Sequence, residues 1–286
     1  MEFSKDLAAL HTDKQGEINR RGLMGFPVDS LQDQENQKLL QQEIDSLTDV
    51  VTYQSPTTGL LLPVDKKFPA NMLYYFLVGD YEEHDMQLIR RYVRPGNRVL
   101  ELGGGVGLTG SLLGKVSGNP VSVCEPNAAL HACIERTFAA NGVPLKLLKV
   151  AATADHVTNN YVTFNVCKDY WWSSLVETAN SEPVRVLARR LSDLITETQA
   201  DTLLVDIEGY EVALFSDTEG LASINTILVE LHTPSIGTLA SANIITSIVQ
   251  AGFFLEDFGG HTFVFTRQRA TDDSTDRYFG PNGRWY

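Results

Sequence analysis

Basic residues, cysteine and long apolar runs are all scarce in this chain. Its 286 residues carry 23 Lys and Arg against 36 Asp and Glu, a net charge of -13. A surface of that sign repels a polyanion, so a nucleic-acid substrate would require a local basic patch. The nearest candidates, Arg90-Arg91 and Arg189-Arg190, are short pairs and read as solvated helix faces. Cys124, Cys133 and Cys167 are an odd, scattered set without a C-x-x-C, so neither a disulfide framework nor a zinc cluster is indicated and the thiols are expected in the core. No stretch approaches the roughly 20 apolar residues of a membrane span. The opening M-E-F-S-K-D-L-A-A-L-H-T-D-K is too polar for a secretory signal. Together these absences set the expectation of a soluble cytoplasmic protein with no membrane span and no nucleic-acid partner.

What is present is enough apolar material, 43% of residues, for one enzyme-sized core. From Met1 to about Leu47 the chain is polar and helix-compatible, with Leu31, Leu39, Leu40 and Ile44 at near-helical spacing. The next segment, D-V-V-T-Y-Q-S-P-T-T-G-L-L-L-P-V, reads as a hairpin around a Ser-Pro-Thr-Thr-Gly turn. A helix from Glu82 to Tyr92 is stopped by Arg94-Pro95-Gly96. From Asn97 onward strands alternate with helices, the pattern of a mainly parallel sheet covered on both faces. The strands are placed at Arg98 to Leu102, Val121 to Glu125, Leu145 to Ala151, Thr202 to Asp206, Thr226 to Leu231, Phe253 to Asp257 and Thr262 to Phe265. The last two flank Phe258-Gly259-Gly260-His261 and suit an antiparallel hairpin at the sheet edge, an ending that favours the methyltransferase variant of the doubly wound sheet over a dinucleotide fold of six parallel strands. An inserted strand is expected around Val162, Phe164 and Val166, followed by a Tyr170-Trp171-Trp172 loop that packs over the sheet or walls the substrate.

The first strand runs into R-V-L-E-L-G-G-G-V-G-L-T-G, where two motifs overlap. Gly105 to Gly110 satisfies the G-x-G-x-x-G of a dinucleotide site, and Glu101 to Gly107 satisfies the E-x-G-x-G-x-G of an S-adenosylmethionine (SAM) site. Gly103, Gly105 and Gly107 would let the backbone approach either ligand. Glu101 separates the two: a carboxylate in an apolar strand asks for a cation, which the SAM ammonium provides and a pyrophosphate does not. Glu125, ending the second strand, can accept ribose hydroxyls in both cases. Farther on, D-I-E-G-Y-E and V-E-L-H place Asp206 and Glu208, with Glu230 and His232, at the ends of adjacent strands. Three acids and an imidazole in one crevice imply coupled titration, a metal, or a cationic partner.

At these residues the chain resembles the FkbM family of SAM-dependent methyltransferases, from about Gly79 to His232. The blocks appear in order: Gly79-Asp-Tyr81-Glu82, Pro95-Gly96, Val150-Ala151-Ala152, Ser173-Ser174-Leu175, R-R-L-S-D-L-I, Asp206-Ile-Glu208-Gly209-Tyr-Glu211 and Glu230-Leu-His232. Of these, D-x-E-G-x-E is the specific one. The family's usual D-x-G-A-N-x-G is altered to Glu101 for the acid and Gly104-Gly105 for Ala-Asn. The resemblance implies a Rossmann-like class I α/β fold with a seven-stranded, mainly parallel sheet, an antiparallel last strand and an N-terminal helix-and-hairpin extension. With the patterning of the flanking segments, the chain is expected to divide into an accessory segment over 1–78, a catalytic core over 79–268 and a polar tail over 269–286. The resemblance also implies SAM as cofactor, held by Glu101, Gly103, Gly105, Gly107, Glu125, Ala152 and Glu82, and a hydroxyl acceptor on a sugar, glycolipid or natural product.

An alcohol must lose a proton as it is methylated, and His232 has the ordinary pKa best suited to accept one near neutrality. Asp206 or Glu230 would orient it and Glu208 would contact the acceptor. No metal is expected; the rival expectation is that Asp206, Glu208 and Glu230 hold a hard divalent ion such as Mg²⁺. Two other classes stay open, a non-catalytic SAM-binding module and an NAD(P)-dependent oxidoreductase. The N-P-P-Y type of loop used for planar amines is absent.

Overall fold

A computed structural model describes residues 31–167, 173–177 and 181–267. The Tyr170-Trp171-Trp172 loop, the tail over 269–286 and the first thirty residues lie outside them. Helix α1 (Leu31–Asp45) buries Leu40 and Ile44 and leaves Leu39 at the surface. The hairpin follows, with β1 (Val51–Gln54) antiparallel to β2 (Leu61–Val64). Ser55 Oγ accepts from the Thr57 and Thr58 amides and so fixes the turn. Two helices come next, α2 (Ala70–Val78) and α3 (Glu83–Tyr92).

The central sheet is built from β3 (Val99–Leu102), β4 (Val121–Cys124), β5 (Leu145–Leu148), β9 (Thr202–Val205), β10 (Thr226–Glu230), β11 (Phe254–Gly259) and β12 (Thr262–Thr266), in the order β11-β12-β10-β9-β3-β4-β5. All four residues of β3, β4 and β9 are buried, as required of parallel strands covered on both faces. From β5 to β10 the pairing is parallel. Strand β12, last in the chain, pairs antiparallel with both β10 and β11, so the hairpin forms the sheet edge with β11 outermost. This is the α/β, Rossmann-like class I methyltransferase arrangement.

Successive side chains on a strand point to opposite faces, which sorts the core into two layers. Val99, Val121, Val123, Leu204 and Leu228 meet α2, α3, α4 (Leu108–Ser117) and α5 (Ala128–Asn141). Leu40, Ile44, Leu62 and Val64 from the N-terminal elements join the same cluster. Leu100, Leu102, Leu203, Val205, Ile227 and Val229 meet α6 (Leu191–Thr198) and, beyond the short helices α7 (Glu211–Leu214) and α8 (Thr233–Ile236), α9 (Thr238–Gln250).

Two sequence expectations need correction. The strand expected from Leu145 to Ala151 is broken: the Val150 amide bonds back to Leu148 O, and β6 (Ala151–Thr153) leaves for a second sheet. That sheet, ordered β6-β8-β7, contains the expected insertion as β7 (Tyr161–Val166) and an unforeseen nine-residue strand, β8 (Glu182–Arg190). Arg189-Arg190 therefore end a strand rather than face solvent from a helix. They reach onto α6, Arg189 to Glu197 and Arg190 to Asp193.

Candidate active site

The carboxyl ends of β3, β4, β9 and β10 converge, and the loops leaving them carry most of the residues singled out in the sequence. Gly103 follows β3 at φ +89°, and a Cβ there would overlap the Asp206 carbonyl oxygen. This turn thus presses against the end of β9, where only glycine fits. At Gly104 a Cβ would come 2.7 Å from Val123 and 2.9 Å from Ile134. Gly105 faces the Tyr81 hydroxyl, bringing the Gly79-to-Glu82 block against the glycine loop. Gly107, left-handed at φ 82°, starts α4, and Gly110 is a helix residue within it.

Glu125, just past β4, is 4% exposed and holds the loop from the neighbouring strand. Its Oε2 accepts from the Gly104 amide at 3.0 Å and its Oε1 from the Asn127 amide at 2.7 Å. Burial pushes its pKa up to about 7, although those amides favour the charged form. Asn127 caps α5 through Oδ1, while its buried Nδ2 has no hydrogen-bond partner among the described residues. Ala152 is buried within β6. Glu101 is wholly enclosed. Thr109 Oγ1 donates to its Oε1 at 2.6 Å, its Oε2 has no partner among the described residues, and a Cβ on Gly110 would collide with that oxygen. Burial raises its pKa to about 8, against the Thr109 bond and with help from Glu125. In this structure the carboxyl sits beneath the first turn of α4 rather than on an open wall.

On the other side of Gly103 stands the acid-rich cluster. Asp206 follows β9, with its amide bonded to Leu102 O at 2.9 Å. Glu230 ends β10 and His232 lies two residues beyond. The imidazole is 11% exposed, with Nε2 at 3.1 Å from Glu208 Oε2 and 3.5 Å from Asp206 Oδ1, and Nδ1 at 2.9 Å from Glu211 Oε1. Burial alone would lower its pKa; the bonds to Glu208 and Glu211 reverse that and push it up to about 12. Burial also raises the carboxyls around it, Asp206 well above its ordinary range and Glu230 to about 7, with their mutual repulsion adding to the effect.

The expected quartet of Asp206, Glu208, Glu230 and His232 is therefore brought together. Glu82 joins this cluster: its carboxylate lies within 4.8 Å of Asp85 and Glu230. Burial, then Asp85 and Glu230, drive its pKa well above the usual range. Asp85, which accepts from Thr262 Oγ1 at 2.7 Å, was not foreseen; the signal was its place three residues after Glu82 at the start of a helix. Glu211 was visible only as the third acid of the D-x-E-G-x-E motif. From the Ser173-Ser174 block, Ser174 Oγ donates to Ile207 O at 3.1 Å and so supports the Asp206–Gly209 turn from below. Asp206, Glu230 and His232 each offer a ligand atom within 4.8 Å of the others, spacing that a divalent ion could bridge.

Residues 112–268 match the family described as the methyltransferase FkbM domain. The chain belongs to this family. The FkbM match begins within α4 and takes in both the Asp206–Glu211 and the Glu230–His232 blocks, whereas the glycine loop precedes it. No curated protein sequence matches the chain. Among solved structures, fibrillarin from Aeropyrum pernix with bound SAM is similar at 10% identity and a TM-score of 0.37, over 60% of this chain and 66% of that one. The tRNA (uracil-54, C5)-methyltransferase of Pyrococcus abyssi with S-adenosylhomocysteine is similar at 14% identity and a TM-score of 0.41, over 77% of this chain and 44% of that one. Ribosomal protein L11 methylase from Lactobacillus delbrueckii subsp. bulgaricus gives 13% and 0.37, over 65% and 76%. These likenesses are too distant to carry a functional argument. No helix among the described residues of this FkbM-domain chain is long and apolar enough to cross a membrane.

Proposed function

We propose that this chain is a SAM-dependent O-methyltransferase acting on a hydroxyl of a sugar, glycolipid or natural-product acceptor. The observation that carries the reading is the close contact between the two half-sites: Gly103, of the cofactor-type loop, lies against the backbone of Asp206, of the acid-imidazole cluster. SAM, when bound, supplies an electrophilic methyl group on a sulfonium. The close-packed glycine loop, the buried Glu125 carboxylate and Asn127 Nδ2, which has no partner among the described residues, fit such a cofactor and would hold it, Glu125 through ribose hydroxyls. Ala152 would contribute to the same cofactor site. Glu101, enclosed beneath α4, would act on the cofactor's ammonium group through the loop that it supports by way of Thr109.

The chain's own part in the chemistry is to hold an acceptor oxygen at the Asp206 side of the loop and to remove its proton. Positioning converts the encounter into a near-attack geometry. A carboxylate of Asp206, Glu208 or Glu230 then receives the proton, rather than His232, whose pKa of about 12 leaves it already charged at neutral pH. Such a base contributes about 10²- to 10⁴-fold. The acidic surface and cluster favour a small acceptor over a nucleic acid. Cytoplasmic placement goes with this reading, as does a division into an accessory 1–78, a catalytic 79–268 and a tail 269–286.

A second reading is favoured by one specific observation, the spacing of Asp206, Glu230 and His232. A hard cation bound there would acidify the acceptor hydroxyl. Labelled SAM incubated with panels of glycans, glycolipids, polyketide alcohols, amines and RNA tests the proposal. Transfer of a single methyl to a hydroxyl in one panel is the expected result. Exclusive methylation of nitrogen or RNA would overturn O-transfer, and calorimetric binding of NAD without SAM would overturn the cofactor. Activity abolished by EDTA and restored by Mg²⁺ would select the metal-assisted version.

A further inference from the structure

Glu211 is wholly buried, yet it is a carboxylate in the first turn of a helix of only four residues. Among the described residues, one of its oxygens makes all of its hydrogen bonds. Oε1 accepts from His232 Nδ1 at 2.9 Å, from the Gly209 amide at 3.2 Å and from the Ile207 amide at 3.4 Å. Those donors come from two different strand ends: His232 follows β10, while Ile207 and Gly209 lie in the turn after β9. That turn is under backbone strain, with Glu208 at φ 54° and Gly209 at φ 101°. A left-handed non-glycine residue is unfavourable unless its surroundings hold it. Here the strained residue is the one whose carboxylate meets His232 Nε2.

We propose that Glu211 is the positioning residue of the site. By anchoring His232 Nδ1 and the Ile207 and Gly209 amides on one oxygen, it holds the imidazole with Nε2 toward Glu208 and Asp206 and fixes the turn that presents both acids. The inference rests on the reading of this cluster as the proton-handling side of a methyltransferase. Its geometry also stands without that reading. A mere helix-start acid would satisfy the two amides without reaching the ring. A carboxylate that also receives Nδ1–H fixes the rotation of the histidine ring, the task carboxylates perform behind functional histidines elsewhere.

The test uses the full chain labelled with ¹⁵N-histidine, with His232 assigned by His232→Gln, and compares wild type with Glu211→Gln and Glu211→Leu. S-adenosylhomocysteine affinity is measured in each by calorimetry. The amide of the Gln variant keeps an acceptor oxygen, so it should retain a slowly exchanging proton on His232 Nδ1. In the Leu variant exchange of that proton should accelerate by about tenfold or more, the loss of one buried charge-assisted bond. S-adenosylhomocysteine affinity should stay within about threefold in all three, because the Glu125 side is untouched. Retention of the slow Nδ1 proton in the Leu variant overturns the proposal. So does weakened S-adenosylhomocysteine binding in the Gln variant, which would mark Glu211 as general scaffolding. Where turnover is measured, the Leu variant should lose about 10²-fold in kcat at unchanged KM for SAM, with most of it recovered in the Gln variant. Absence of turnover in the wild type counts against the methyltransferase reading and leaves the exchange measurement to decide Glu211.

Discussion

Replacing Glu101 with Gln should make the stability of this protein less dependent on pH, in a direction and by an amount the structure defines. The Glu101 carboxyl is fully enclosed and its pKa is raised from 4.5 to about 8, chiefly by burial. The folded chain therefore holds this proton more tightly than the unfolded chain. A group shifted in that sense gives stability that is complete below its unfolded pKa and is lost as pH rises through the folded one. Across the interval from 4.5 to 8 each pH unit is worth about 1.4 kcal/mol, so wild type forfeits about 3 kcal/mol by pH 7 and about 5 kcal/mol above pH 8. Gln has no proton to lose. It keeps the acceptor for Thr109 Oγ1 but puts an amide where Oε2 has no partner among the described residues, a pH-independent penalty of about 1–3 kcal/mol. The variant should thus be the less stable protein near pH 5 and the more stable one above pH 8. Urea unfolding followed at intervals from pH 5 to 9 measures this directly. Glu125, whose own pKa lies near 7, is common to both proteins and drops out of the comparison to first order. A constant difference between the two curves across the whole range would refute the claim that Glu101 is sealed and neutral at low pH.

Glu125→Gln should weaken S-adenosylhomocysteine binding by about 10- to 100-fold in calorimetry, the cost of one or two charge-assisted bonds. Because the Glu125 pKa is near 7, wild-type affinity should rise as pH increases from 6 to 8, and a flat profile would speak against this carboxylate as a ligand. Gly103→Ala should cost about 3 kcal/mol or more in unfolding experiments and abolish cofactor binding, since the methyl meets the Asp206 carbonyl oxygen at a positive φ. Wild-type stability in that variant would mean that the loop does not pass so close to β9.

The alternation of strand and helix, the hairpin of β1 and β2, and the glycine turn after β3 are written in local chemistry. Apolar runs of strand length, Ser-Pro and Gly punctuation and the period of the helices act over a few residues, so they can be read in order along the chain. The pairing of Asp206 and Glu208 with Glu230 and His232 was legible for the same reason, since parallel neighbouring strands bring their ends together. The break at Val150 and the strand β8 were not. Their half-exposed residues carry a weak two-residue period, and a separate sheet is decided by which partner the backbone finds.

Environment is the other thing that only the tertiary structure settled. Glu101 reads as an acid awaiting a cation, and its seal comes from Thr109 and Gly110 folding over it. Glu82 and Asp85 enter the cluster because α3 packs beside β10 and β12, more than a hundred residues later in sequence. Glu211 becomes the partner of His232 because the turn after β9 folds back upon itself. The residue types in the sequence determined which chemistry was available: carboxylates, an imidazole and a backbone able to turn without side chains. Burial and hydrogen bonding decided the charge and orientation of each, because both are properties of the neighbours that folding supplies.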